Sequence, residues 1–195
     1  MLINISIVIV AFLIGSIPTA LLYSKLAHGS DIRTLGDGNM GAHNTKHQFG
    51  YRAGLMVAVV DITKGALAVL LAMAFKLPLI WQMAAGTAAV LGHDFPIFAQ
   101  FKGGKGLATT AGVFLALFPL LALIGLVLHS VIYLIFHNWD LGSGFGMGIF
   151  ALLIFLTGEP LITVGYIVAL LLFIPIKQWL DKPRQEKIQE PDSLD

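Results

Sequence analysis

The stretch MLINISIVIVAFLIGSIPTALLYSK, residues 1–25, decides the class of fold. A cleavable signal peptide has positively charged residues ahead of a short apolar core. This stretch has no Lys or Arg before Lys25, and its apolar run is longer than such a core. A membrane-spanning helix needs about 20 predominantly apolar residues. The stretch therefore predicts a first transmembrane helix, over about residues 2–23, that is retained in the protein.

The composition of the whole chain supports a membrane protein. Of the 195 residues, 57% are hydrophobic and only 12% are charged, whereas soluble domains carry about 25% charged residues. The chain has no cysteine, which excludes disulfides and thiolate metal sites. These values predict an integral membrane protein.

The remaining apolar stretches predict an all-α bundle. Residues 55–75, 77–91 with their flanks and 160–179 are each long enough to span a bilayer. Residues 107–136 are too long for one straight helix, and they form either one kinked span or two shorter spans that meet at Phe118–Pro119. Residues 146–157 predict a short, half-spanning helix.

The positions of the basic residues predict the orientation. Most of the 12 Lys and Arg residues lie in the first loop, the third loop and the C-terminal tail. By the positive-inside rule these segments face the cytoplasm and the N-terminus faces out. Such an arrangement requires an odd number of crossings, for which we expect seven helices, some of them short, with five as the alternative. We expect one polytopic membrane domain over residues 1–180 and a polar, frayed cytoplasmic tail over residues 181–195.

The first cytoplasmic loop, DIRTLGDGNMGAHNTKHQFGYR (residues 31–52), combines closely spaced glycines with basic and amide side chains. Glycines let consecutive backbone N–H groups turn toward one concavity, which can bind phosphate oxygens. A flexible connector is the alternative interpretation, but the polar side chains favour a binding loop. The candidate binding residues of this loop are Arg33, Gly36, Gly38, Asn39, Gly41 and Asn44.

The third loop, GHDFPIFAQFKGGKG (residues 92–106), repeats this pattern. It differs from a nucleotide P-loop because Lys105 is followed by Gly106 and not by Ser or Thr. A helix that starts near Leu107 would point its N-terminal amides at the turn, where they favour an anion. A lysine anchor to acidic lipid headgroups is the alternative. The candidate binding residues of this loop are Lys102, Gly103, Gly104, Lys105 and Gly106.

Three other ionisable residues could carry chemistry. Asp61 and Lys64 stand three positions apart in an otherwise apolar helix, where each charge is costly to insert. We interpret them as a structural ion pair, with contact between Lys64 and a ligand as the alternative. His93, at the inner membrane edge, could accept the proton of an acceptor hydroxyl or act only as a hydrogen-bonding residue.

Together these stretches resemble the PlsY family of bacterial glycerol-3-phosphate acyltransferases, which use acyl-phosphate. The order and spacing follow the family over about residues 10–120. The matching pieces are GSIPTA (15–20), DIRxxGxGNxGAxN (31–44), DITKG (61–65) and GHDFPIFAQFKGGKG with LATTAGV (92–113).

The resemblance implies a seven-helix enzyme of the bacterial inner membrane with a cytoplasmic active site. Such an enzyme moves a fatty acyl group from acyl-phosphate to the 1-hydroxyl of glycerol 3-phosphate and releases lysophosphatidic acid and phosphate. It would use no metal or other cofactor, no nucleic acid and no obligate protein partner, only its two substrates and the bilayer. On this interpretation His93 and Lys105 are catalytic, Arg33 and Lys102 neutralise phosphate, the loop glycines hold oxygens, and Asn39 and Asn44 orient the acceptor.

Several positions depart from the family pattern. Asp37, His43 and His47 replace Ser, Thr and Arg, a later loop reads His137-Asn138-Trp139-Asp140, and the tail lacks the family's His and Asn. Carboxylates placed beside phosphate oxygens would repel them. The alternatives are a paralogue with another acceptor or with metal dependence, and an inactive lipid-binding protein. The ligands of such a metal would be Asp37, His43, His47, His137 and Asp140.

Overall fold

The computed structural model describes residues 1–189, and within this range the side chains of all residues except 139, 140, 183, 184, 187 and 189. Every regular element of this part of the chain is helical, which confirms the predicted all-α class. Residues 190–195 of the predicted tail lie outside the description. The helices are α1 Leu2–Gly15, α2 Thr19–His28, α3 Ala42–Phe49, α4 Tyr51–Ala74, α5 Leu79–Asp94, α6 Leu107–Leu117, α7 Pro119–Phe136, α8 Trp139–Leu156 and α9 Leu161–Gln189, with short 3-10 turns at Ile32–Thr34 and Ile97–Ala99.

Four segments are long and apolar enough to cross a membrane. They are Leu2–His28, Tyr51–Ala74, Pro119–Phe136 and Leu161–Lys182, and shorter apolar helices accompany them. The chain is therefore an all-helical integral membrane protein, as its composition predicts. The total of seven crossings stays a prediction, because α5 and α6 have only 16 and 11 residues, and the apolar part of α8 that is described with its side chains runs only over Leu141–Leu156.

The first predicted span is two helices, α1 and α2, and not one. The break lies at Pro18, which has no backbone N–H and cannot continue the hydrogen-bond ladder of a helix. The interruption exposes the Ile17 carbonyl oxygen, which accepts a hydrogen bond from Lys64 Nζ at 3.1 Å. The break in the first span is thus tied directly to a charge in the middle of α4.

Two further expectations concern α6, α7 and α8. The long apolar stretch divides at Phe118–Pro119, which selects two helices over one kinked span. α8 begins at Trp139, so the predicted half-span over residues 146–157 is too short. A Cβ atom at Gly146 would lie only 2.6 Å from the Gly125 carbonyl oxygen of α7. Gly142 and Gly146 of α8 therefore allow close contact with α7 instead of ending a helix.

The predicted frayed tail is helical as far as Gln189. α9 continues through Asp181 because Lys177 and Asp181, one helical turn apart, form a buried ion pair. Lys177 also places its ammonium 5.1 Å from the ring centroid of Phe95, at the start of the third loop. This part of α9 is thus held against the start of the third loop.

Two further pairs of helices approach closely at glycines. α4 packs against α6, and α1 against α5, while α4 also contacts α1, α3 and α5. A Cβ atom at Gly65 or Gly112 would overlap a backbone carbonyl across the α4–α6 contact, and Gly15 and Gly92 face carbonyls in the same way between α1 and α5. These four glycines let the helix backbones touch, as small residues do in membrane proteins.

We predict that Gly112→Ala destabilises the protein. The added methyl would overlap the Ile62 carbonyl, and overpacking of this kind costs about 1–3 kcal/mol in the free energy of unfolding. Gly165→Ala is the matched control, because no atom lies within 4 Å of its Cβ position and the better helix propensity of Ala should be neutral or stabilising. Thermal unfolding in detergent measures both. Equal midpoints for Gly112→Ala and the wild type would contradict the close contact.

Candidate active site

Arg33 ties the first loop to the third. Its Nε donates to Asp31 Oδ1 at 2.9 Å and its Nη2 to Asp31 Oδ2 at 2.7 Å, while Nη1 donates to the Ala99 carbonyl at 3.2 Å. The hydrogen bonds from the Arg33 side chain lower the pKa of Asp31 against the opposing effect of its burial. Arg33 therefore has a structural contact in addition to the phosphate contact predicted for it.

The first loop is held from inside by amide and carboxylate side chains. Asn44 Nδ2 donates to the carbonyls of Leu35 at 2.9 Å and Asn39 at 3.1 Å. Asp37 accepts from the Asn39 backbone N–H at 3.0 Å, a turn contact that Ser also makes. Asn44 thus stabilises the loop, and its predicted contact with an acceptor stays a prediction.

The third loop folds back onto the end of α5. A Cβ atom at Gly104 would overlap the His93 imidazole, and one at Gly103 would overlap the His93 carbonyl. Gly106 has a φ of 76° and lies against the Asp94 carboxylate, so a side chain there would be strained as well as crowded. Glycine is therefore required for the turn to lie directly on His93 and Asp94.

Fewer of the loop glycines have a backbone N–H available for a phosphate oxygen than the glycine spacing suggests. The Gly38 N–H donates to the Leu35 carbonyl at 2.9 Å, and the Gly104 N–H donates to the His93 carbonyl at 3.2 Å. These two amides close their own turns and are not available to a ligand. The predicted contact of a backbone N–H with a phosphate oxygen stays a prediction for Gly36, Gly41, Gly103 and Gly106.

A buried polar cluster lies below the two loops. Asp61 Oδ1 accepts from Thr19 Oγ1 at 3.0 Å and is 2.9 Å from Lys64 Nζ and 3.7 Å from His93 Nδ1. Asp61, Lys64 and His93 are each at most 6% exposed. The cluster therefore joins α2, α4 and α5 at the break at Pro18.

A small cavity of about 10 Å³ marks the place where the loops and this cluster meet. In the described part of the chain, Asn39 Nδ2 and Asp61 Oδ2 are buried without a hydrogen-bond partner. Both residues neighbour the lining of the cavity, because Asn39 precedes Met40 and Asp61 contacts Lys64. Buried polar groups are nearly always hydrogen-bonded, so such atoms indicate where a ligand could bind. The cavity is lined by Ile17, Pro18, Thr19, Met40, Lys64, His93 and Gly104.

The two lysines of the third loop differ in their surroundings. Lys105 is half-buried, and Lys102 is exposed. Burial and the neighbouring His47 lower the pKa of His43, and the positive charge of Lys105 lowers it further. This effect agrees with the contact that joins the two loops, the hydrogen bond from Arg33 Nη1 to the Ala99 carbonyl at 3.2 Å.

The residues considered for a metal site do not form one in the described part of the chain. The rings of His43 and His47 lie 4.5 Å apart, but no group of three or more His, Asp or Glu side chains is placed to hold an ion among the described residues. His137 is exposed at the end of α7. The Asp140 side chain lies outside the description.

Thr19, Asp61 and Lys64 are the site residues that sequence reasoning underestimated. The ion pair between Asp61 and Lys64 is present, but Lys64 also lines the cavity. The available signal was the cost of two charges inside an apolar helix, which marks functional sites in membrane proteins. Thr19 was harder to identify from the sequence, because its hydrogen bond to Asp61 depends on the break between α1 and α2 at Pro18.

Comparison with known proteins agrees with this geometry. The sequence model of the family described as "Glycerol-3-phosphate acyltransferase" matches residues 5–185. A glycerol-3-phosphate acyltransferase of Geotalea daltonii is 49% identical over 125 residues, which are 64% of this chain and 64% of that protein. One of Bacillus cytotoxicus is 46% identical over 134 residues, 68% of this chain and 67% of that protein. The matched region thus spans about two thirds of the length of these relatives.

The fold is also similar to a solved structure. A crystal structure of PlsY, described as an integral membrane glycerol 3-phosphate acyltransferase in its glycerol 3-phosphate form, superposes with a TM-score of 0.84 at 32% identity, covering 93% of this chain and 90% of that one. The lysophosphatidic acid form gives a TM-score of 0.80 at 30% identity. The chain therefore belongs to the glycerol-3-phosphate acyltransferase family.

Proposed function

We propose that this protein transfers a fatty acyl group from an acyl-phosphate to the 1-hydroxyl of glycerol 3-phosphate. The products are lysophosphatidic acid, a precursor of phospholipids, and inorganic phosphate. The observation that carries this proposal is the convergence of two glycine-rich loops on the cavity above Lys64 and His93. Membership of the family and the fold shared with PlsY support it.

The charges at this junction suit substrates that carry phosphate. Lys64 lines the cavity, and Lys105 directly follows Gly104, which also lines it. Asn39, whose buried Nδ2 is an unpartnered donor, precedes the lining residue Met40. An acyl-phosphate is already activated, so positioning and charge stabilisation can supply most of the rate. Arg33 and Lys102 extend the positive charge toward the outside of the loops.

The reaction needs one bond exchange. The acceptor oxygen attacks the acyl carbon, the bond from that carbon to the phosphate oxygen breaks, and the acceptor proton passes to the released phosphate. His93 assists this transfer from beneath the third loop, where its Nδ1 faces Asp61 at 3.7 Å and its Nε2 lies against Gly104. Lys105 stabilises the negative charge that develops on the leaving phosphate.

We infer that both loops and the C-terminus face the cytoplasm and that the N-terminus faces out, in a bacterial inner membrane. The distribution of Lys and Arg among the loops supports this orientation. Cysteine labelling from each side of oriented membranes would test it, since the natural chain has no cysteine to interfere. A site in the first loop should react only from the cytoplasmic side.

The direct test of the activity uses purified protein, palmitoyl phosphate and labelled glycerol 3-phosphate. We expect labelled lysophosphatidic acid and phosphate in equal amounts, with the same rate in EDTA. Loss of turnover in EDTA would favour a metal-dependent paralogue, and turnover only with another polyol phosphate would favour a different acceptor. Thermal stabilisation by these ligands without turnover would identify an inactive lipid-binding protein.

A further inference from the structure

The tip of the third loop, residues 96–102, presents large apolar side chains between α5 and α6. Three of them are exposed, Ile97 by 40%, Phe98 by 60% and Phe101 by 63%. The proposed acyl transfer gives these side chains no role. We call residues 96–102 the loop tip.

Hydrogen bonds fix the backbone of the loop tip, so this exposure is a property of the folded turn. The Phe101 N–H donates to the Pro96 carbonyl at 2.9 Å, and the Lys102 N–H donates to the Ala99 carbonyl at 3.2 Å. Arg33 Nη1 donates to the same Ala99 carbonyl, and the Ala99 side chain packs in a buried cluster with residues of the first loop. The loop tip therefore has an inner side held by the first loop and an outer side that carries the exposed apolar side chains.

Gln100 and Phe101 adopt a backbone conformation that is unfavourable for their side chains. Their φ angles are 58° and 60°, in the left-handed region. A bulky residue is strained there, and such strain persists only where the surroundings favour it. The result is a sharp change of direction, because Phe101 and Lys102 are exposed while the next residue, Gly103, is buried against the His93 carbonyl.

Basic side chains lie beside the loop tip. Lys102 is its last residue and is exposed, and Arg33 contacts it from the first loop. The Lys25 side chain is 55% exposed and lies 4.0 Å from the Asp31 carboxylate, which Arg33 also contacts. Asp31 offsets one of these three positive charges, so the group carries a net positive charge. Positive charge of this kind is attracted to anionic lipid headgroups.

We propose that the loop tip is a membrane-docking surface, whose apolar side chains enter the lipid–water interface while Lys25 and Lys102 contact anionic lipid headgroups. Exposed apolar rings next to Lys and Arg are typical of protein segments that lie in this interface. The bilayer is the partner at hand, because the loop joins two helices of a membrane-embedded bundle. Burial of the rings in lipid offsets the strain at Gln100 and Phe101. The docking needs only insertion into a membrane and not acyl transfer.

Spin labelling tests the docking, since the natural chain has no cysteine. A nitroxide on Ile97→Cys leaves both phenylalanines in place, and the protein is reconstituted into nanodiscs of phosphatidylglycerol and phosphatidylcholine. Oxygen, which concentrates in lipid, and a nickel chelate, which stays in water, report the surroundings of the label. We expect a several-fold higher ratio of oxygen to nickel access than for Glu186→Cys, whose native side chain is 62% exposed beyond the last spanning segment. The ratio should approach that of Val127→Cys, an exposed position on the spanning helix α7.

Variants of the labelled protein then test the rings and the lysines separately. Phe98→Ser combined with Phe101→Ser should raise nickel access at position 97 several-fold, and a melting temperature near that of the labelled parent shows that the fold is kept. Lys25→Gln combined with Lys102→Gln should raise nickel access in anionic nanodiscs but not in nanodiscs of phosphatidylcholine alone. Unchanged nickel access in the anionic nanodiscs would overturn the contact with anionic headgroups.

Two results at position 97 would overturn the docking itself. Nickel access equal to that of the Glu186→Cys label would show that the loop tip lies in water. Low access to both reagents would show that protein, such as a second copy of this chain, covers the loop tip. Since none of these measurements uses turnover, either result leaves the proposed function standing, and a failure of acyl transfer would leave the docking standing.

Discussion

Lys105→Ala is expected to abolish turnover in a membrane assay with palmitoyl phosphate and glycerol 3-phosphate. Lys105 is half-buried beside Gly104 and Gly106, where the turn folds onto the end of α5. Charge on the leaving phosphate develops there in a partly desolvated site, where a positioned cation stabilises it more than in water. Removal of one such group typically lowers kcat by about 10²–10³.

The loss should be specific to the chemical step. Lys182→Ala is a suitable control, because the Lys182 side chain is 69% exposed on α9 and forms an ion pair with the exposed Glu186 at 3.6 Å. We expect the control to retain activity and both variants to melt at the wild-type temperature. Retained turnover in Lys105→Ala would remove the assigned role. Lys105→Arg should recover part of the activity, since it restores the charge with different geometry.

Lys64→Met is expected to have the largest effect on stability. Lys64 is the ion-pair partner of Asp61 at 2.9 Å, and their side chains are 5% and 1% exposed. Removing one partner leaves a buried carboxylate without its counter-charge, which costs about 3–5 kcal/mol. The Ile17 carbonyl also loses its hydrogen bond from Lys64, so the break between α1 and α2 is weakened as well.

The double variant Asp61→Leu with Lys64→Met separates structure from function. Replacing both charges by apolar groups of similar size removes the unpaired charge, and such replacements are often neutral in stability. We expect the melting temperature to return toward the wild-type value while turnover stays low, because Lys64 lines the cavity. Restored turnover in the double variant would show that the pair is only structural.

The class of fold was predictable because it depends on composition and on the length of apolar runs. The position of the break at Phe118–Pro119 was also predictable, since proline acts locally, but the sequence left open whether the break was a kink or a division into two helices. The helical extent of α8 could not be predicted, because Gly142 and Gly146 are explained only by the α7 backbone that they contact. The extension of α9 had a local signal in the spacing of Lys177 and Asp181, but its stability depends on contacts far away in the sequence.

The candidate site divides in the same way. The two glycine-rich loops stand out in the sequence, and the structure brings them together. The sequence could not predict which backbone N–H groups are available to a ligand. The N–H groups of Gly38 and Gly104 donate to carbonyls that come within reach only when the turns have folded. Asp37 looked unfavourable for phosphate on charge alone, yet its carboxylate accepts the Asn39 N–H inside the loop.

The backbone contacts at Gly65, Gly112, Gly15 and Gly92 have a consequence for the acyl transfer proposed above. Helices that touch through main-chain atoms have no side-chain layer that can be compressed or repacked, so α1, α4, α5 and α6 move as one rigid unit. Under the proposed function, this frame holds Asp61 with Lys64 and His93 in one arrangement before either substrate arrives. Little energy of reorientation is left to be supplied during acyl transfer.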